Sequence, residues 1–222
     1  MKKSLTDLCL DKLSFLNIAL GKEYNYSCLP LAVIDAIYSI RLNYNTVKKI
    51  VDRYCKYYGV AKYRQDCGSI HTISDLIKNI NVQGCEKFAS GILMSNNKTA
   101  GINSNLKSYA VLKWAEILKE NNIENFDDIK EADLKKLENK LKSVKGQGEA
   151  AVKYFFMLCG CEKFCKPDRH IINFFSNIEG YTINQLEAQW FMESVVKDLN
   201  NRNIDITVRQ LDYIIWCYQK RL

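Results

Sequence analysis

Residues 141–171, LKSVKGQGEAAVKYFFMLCGCEKFCKPDRHI, read as the end of one helix, a Gly-x-Gly turn, a second helix, and a Pro-Asp step into a third. Leu134, Leu137, Leu141 and Val144 repeat at three-and-four spacing, and the pattern stops at Lys145-Gly146-Gln147-Gly148. Ala151, Phe155, Leu158 and Cys159 resume it, with Gly160 as a stop. Two helices are therefore expected to meet at a short glycine turn.

Glycines reach backbone angles closed to other residues and leave amides uncovered. Uncovered N–H groups at a helix start, with the positive end of the helix dipole, suit a phosphate, and Lys145 and Lys153 flank the turn. The same residues also make an ordinary helix corner, and Gly-x-Gly alone does not decide between the two.

One helix further on stand Pro167, Asp168, Arg169 and His170, followed by Ile171-Ile172. With them the chain resembles the helix-hairpin-helix (HhH-GPD) DNA glycosylase superfamily, which includes endonuclease III. Its members carry L-x-x-(aliphatic)-x-G-(x)-G, a helix, and then (Val/Pro)-Asp-x-His. The matching residues are Leu141, Val144, Gly146, Gly148, Pro167, Asp168 and His170.

The rest of the chain agrees with an all-α protein. Only two prolines and ten glycines interrupt 222 residues, and no run keeps strand alternation. With 47% hydrophobic and 26% charged residues the composition is that of a globular protein and not a disordered one. A net charge of +7 fits an anionic partner, and equally a need for solubility. No apolar run approaches the about 20 residues of a membrane span.

Nine cysteines form an odd set behind a start that does not read as a signal peptide, so free thiols in a reducing cytoplasm are expected. Cys159, Cys161 and Cys165 lack the paired two-residue spacing of a zinc ribbon, and no metal is expected. Some endonuclease III relatives hold an iron–sulfur cluster on four C-terminal cysteines. Here only Cys217 follows Cys165, so the resemblance implies no such cluster.

In order, the spacing predicts helices over 4–20, from Leu29-Pro30 to Ile40, after an Asn45-Thr46 cap, over 72–80, 84–93 and 106–119, and through the organising stretch. Further helices follow Asp168, Thr182 or Asn184 (with Leu186, Trp190, Phe191 and Val195 as apolar positions), and Asp205-Ile206-Thr207. Residues 94–105 read as a solvated loop. Lys98, Thr99, Asn103 and Lys107 are possible phosphate contacts within or beside it, and His71 reads as a loop or capping residue.

The resemblance implies a two-lobed helical fold, with a central lobe of about 29–148 ending in the hairpin and a second lobe of about 1–24 with 149–222. It implies DNA contacts from Lys145, Gly146, Gln147, Gly148, Lys153, Arg169 and His170, and catalysis by Asp168. A base in duplex DNA must be flipped out to be attacked, and a carboxylate would then stabilise positive charge on the sugar or activate water. Asp168 after Pro167 is also a good helix cap with no chemical duty.

Bifunctional members use a lysine two positions past the second glycine, where this chain has Ala150. The implied activity is monofunctional base excision by a cytoplasmic monomer acting on double-stranded DNA with a damaged or modified base, without a cofactor. The helix that in the family ends in Ser-Gln here ends in Ser39-Ile40-Arg41. That departure keeps open a second reading, a DNA-binding protein that retains the hairpin without the chemistry.

Overall fold

The computed structural model describes residues 3–13, 19–100 and 104–220. Among them there is no β-strand, only isolated bridges, and the fold is all-α. The chain divides into two compact units, Lys22–Cys159 and Met1–Gly21 with Gly160–Leu222.

Helix α1, Leu5–Lys12, opens the second of these units. Ser4 and Asp7 close a capping box at its start. Of the helix expected over 4–20, residues 14–18, including Leu16, lie outside the described residues.

In the first unit a 3-10 turn, Lys22–Asn25, leads into α2, Leu29–Tyr38. All ten residues of α2 are buried, with Pro30 in the first turn, where a missing N–H costs nothing. A helix apolar all round belongs inside a unit. Each fully buried Leu or Ile there contributes roughly 1.5–3 kcal/mol. Its one carboxylate, Asp35, accepts the Tyr26 hydroxyl at 2.8 Å.

Helix α3, Tyr44–Tyr58, is capped by Asn43, two residues before the expected Asn45, because the Asn43 side chain reaches the Thr46 N–H. Helix α4, Ile73–Gln83, starts at a Thr72/Asp75 capping box. His71 is held by Tyr54, whose hydroxyl lies 3.0 Å from its Nδ1. The segment expected as one helix over 84–93 is a single turn, α5, Cys85–Lys87, running into a π-turn, Phe88–Ile92.

Helices α6, Lys107–Glu120, α7, Phe126–Glu131, α8, Leu134–Lys142, and α9, Glu149–Leu158, complete this unit. Helices α3, α6 and α9 pack around α2. Helix α9 therefore belongs to this unit, whose boundary falls at Gly160, where the sequence reading placed the divide at Gly148.

In the other unit α10, Arg169–Glu179, α11, Gln185–Asn201, and α12, Val208–Gln219, enclose an apolar core with α1. Ile171, Phe174 and Phe175 face Phe191, Val195, Leu211 and Ile215 in that core. Asn184 and Thr207 cap α11 and α12. Leu186 and Trp190, expected as apolar positions of α11, stand in solvent at 71% and 61% exposure. They lie off the face that carries Phe191 and Val195.

Candidate nucleic-acid and catalytic site

In the first unit the hairpin is built from below. The Trp114 indole donates to the Leu141 carbonyl at 3.0 Å, holding one of the last carbonyls of α8 just ahead of the turn. Gln147 N–H then donates to the Val144 carbonyl at 3.0 Å, closing a tight turn. Gly146 sits inside it with φ +79°, the left-handed region that glycine enters without cost.

The two glycines serve different needs. A Cβ on Gly146 would lie 2.6 Å from the Thr99 Cβ and 3.0 Å from the Ala100 nitrogen. Gly148 is extended, with φ −114°, and a Cβ there would meet nothing within 4 Å. It caps α9 with no side-chain hydrogen bond, so the first amides of that helix are not closed off by a cap. The uncovered amides expected of the hairpin are those of this helix start.

The lysines divide as well. Lys145 is exposed on the turn. Lys153 is buried, with its Nζ 2.6 Å from the Glu149 carboxylate one helical turn back. Gln147 is buried too, and its side-chain carbonyl has no hydrogen-bond partner. Ala150 is the second residue of α9.

The loop ahead of α6 differs from the solvated stretch expected. Thr99 is 7% exposed and packs against Gly146. Lys107 is 2% exposed, and its Nζ accompanies the end of α2, donating to the carbonyls of Tyr38 at 3.1 Å and Ile40 at 2.5 Å. Neither is a phosphate contact: Thr99 supports the turn, and Lys107 satisfies carbonyls that the helix leaves open. Asn103 lies outside the described residues.

In the other unit Asp168 is the N-cap of α10, its Oδ1 accepting the His170 N–H at 2.8 Å. Its own N–H donates to the Lys166 carbonyl at 2.6 Å across the buried Pro167, a three-residue turn that stiffens the approach. The Lys166 Nζ lies 3.9 Å from Asp168 Oδ2. The side chain is partly open to solvent, so one carboxylate oxygen is used by the cap while the group keeps an accessible edge.

Partial burial holds the His170 imidazole below its ordinary pKa; Asp168 opposes this, and Arg169, Lys166 and Lys220 add to it. The ring is therefore neutral at neutral pH. Arg169 is exposed beside it.

One residue of this neighbourhood was not singled out from sequence. Asp212 on α12 is 6% exposed, and its Oδ2 accepts the Lys166 N–H at 2.8 Å. Burial, and then the charge of Asp168, push its carboxyl up to about 8. The only sequence sign is an acid inside the apolar run of α12.

Among the described residues no three His, Cys, Asp or Glu side chains are grouped to hold a metal. None of the nine cysteines is joined in a disulfide. No described helix is long and apolar enough to cross a membrane.

The fold is that of the helix-hairpin-helix DNA glycosylases. A structure of the H. pylori 3-methyladenine DNA glycosylase MagIII, bound to 1,N6-ethenoadenine, matches with TM-score 0.65 and 17% identity over 98% of this chain and 95% of its own. MBOgg1, in complex with a low-affinity DNA ligand, matches with TM-score 0.62 and 13% identity over 87% of this chain. The match spans 60% of that protein's length, less than two thirds. Mag1, a 3-methyladenine DNA glycosylase of Schizosaccharomyces pombe in complex with abasic DNA, matches with TM-score 0.55 and 14% identity, over 97% and 88% of the two chains. No curated protein matches in sequence. Residues 3–220 match the family described as a domain of unknown function, DUF8548, and the chain belongs to that family.

Proposed function

We propose that this protein is a monofunctional DNA glycosylase, a cytoplasmic monomer that removes a damaged or modified base from double-stranded DNA. The observation that carries the reading is the carboxylate of Asp168, fixed as the cap of α10 with an edge left open to solvent, on a glycosylase fold. The N-glycosidic bond breaks with its electron pair leaving on the base. Asp168 opposes the positive charge that develops on the sugar, water adds to the sugar carbon, and the proton that the water loses ends on the departed base.

The open amides after Gly148 and the exposed Lys145 would grip a backbone phosphate, with Gly146 and Gln147 shaping the turn. Lys153, buried and neutralised by Glu149, would serve that grip only by steadying the first turns of α9, and Arg169 and His170 would touch DNA beside Asp168. Ala150 offers no amine, so the product is an abasic site without strand cleavage. The reading needs no cofactor: hydrolysis uses water and a carboxylate, and only Cys217 follows Cys165 where a four-cysteine cluster would need more.

The relatives' substrates suggest starting with alkylated purines. Duplexes carrying 3-methyladenine, 1,N6-ethenoadenine and other modified bases are incubated with the protein, abasic sites are cleaved with alkali, and products are resolved on a gel. Product with wild type and none with Asp168→Asn is expected. A second reading, a DNA binder without chemistry, is favoured by Ser39-Ile40-Arg41. It would show as salt-sensitive binding with no product on any duplex.

A further inference from the structure

The geometry points to Asp212 as a positioning residue that sets where the Asp168 carboxylate stands. This rests on the glycosylase reading above for its catalytic consequence, but not for its structural one.

Asp212 grips the chain at one place, the Lys166 N–H, at 2.8 Å. That residue begins the turn that Asp168 closes with its own N–H at 2.6 Å, and buried Pro167 between them has its φ locked. With two points of a three-residue turn held, Asp168 has little freedom except at its side chain, which the His170 N–H then orients. The hold comes from α12, and α12 packs against α10, the helix that Asp168 caps.

An amide oxygen makes the same bond, whereas a buried carboxyl faces a desolvation cost whenever it ionises. With its carboxyl pushed up to about 8, Asp212 is the neutral acid at neutral pH. It holds the turn without placing a second full charge beside Asp168. Asparagine copies that state in shape and charge, while leucine and alanine remove the acceptor.

Single-turnover excision and DNA affinity are measured for wild type, Asp212→Asn, Asp212→Leu and Asp212→Ala, the last replacing leucine should the larger side chain prevent folding. Leucine and alanine are expected to lower the rate roughly 100-fold, the cost of a misplaced catalytic group, with the Kd for DNA unchanged. Asparagine is expected to keep most of the rate. Wild-type rates in the leucine and alanine variants, or an asparagine variant as slow as they are, would overturn the assignment.

Hydrogen exchange at the His170 amide reports the Asp168 cap without requiring activity. Protection should fall in the leucine and alanine variants and persist with asparagine. Failure of wild type to excise any base would end the enzymatic reading, and this exchange would still decide whether Asp212 holds Asp168. Unchanged protection in the alanine variant would show that it does not.

Discussion

The Thr99 side chain lies directly beneath Gly146, so close that a Cβ on the glycine would fall 2.6 Å from the Thr99 Cβ. The turn can pack this tightly only because position 146 has no side chain and a left-handed φ of +79°. Gly146→Ala is expected to cost about 2–4 kcal/mol, combining backbone strain with overpacking. Gly148→Ala, in open space, should cost less than about 1 kcal/mol. Urea unfolding of the two variants checks the difference.

Gly148→Asp separates stability from grip. An aspartate cap on α9 should leave stability unchanged or raise it by a few tenths of a kcal/mol. The same carboxylate would repel a phosphate from the helix amides. DNA affinity should fall while the melting temperature does not, and equal affinity would remove the hairpin from the binding surface.

Exposed Lys145 should act as a simple phosphate contact. Lys145→Ala is expected to weaken binding similarly on all sequences and to reduce the slope of log Kobs against log salt by about 1. Fluorescence anisotropy across a salt series gives both numbers.

Lys107 joins the end of α2 to the start of α6 through the carbonyls of Tyr38 and Ile40. Lys107→Met keeps the packing of the stem but leaves buried carbonyls without this donor. A loss of about 1–3 kcal/mol is expected in chemical denaturation.

The raised carboxyl of Asp212 ties stability to pH. Its folded value of about 8 lies above the roughly 3.9 of an unfolded aspartate, so the folded state holds the proton longer. The stabilising contribution is complete below about 4, declines as pH rises, and is gone once pH passes about 8. Asp212→Asn has no proton to lose. Its melting temperature relative to wild type should therefore rise steadily from pH 4 to pH 8, and a parallel pair of curves would argue against the assignment.

Helix starts, the glycine turn and the Pro-Asp step were legible in the residues themselves. Each depends on partners two or three positions apart: Thr72 with Asp75, Thr207 with Gln210, Asp168 with the His170 N–H. Such short bonds form wherever the local sequence allows them, and the motif spacing follows directly from them. Three features depended on contacts that no local pattern encodes. Thr99 meets Gly146, Lys107 reaches back to the end of α2, and Asp212 bonds the Lys166 N–H across 46 positions. Leu186 and Trp190 show the same limit from the other side, since helical spacing marks an apolar stripe but only neighbouring helices decide which part of it is covered. Asp168 was nameable from a local motif because its cap is made within its own turn, whereas the residue that steadies that turn comes from α12, brought there by the packing of the unit's core.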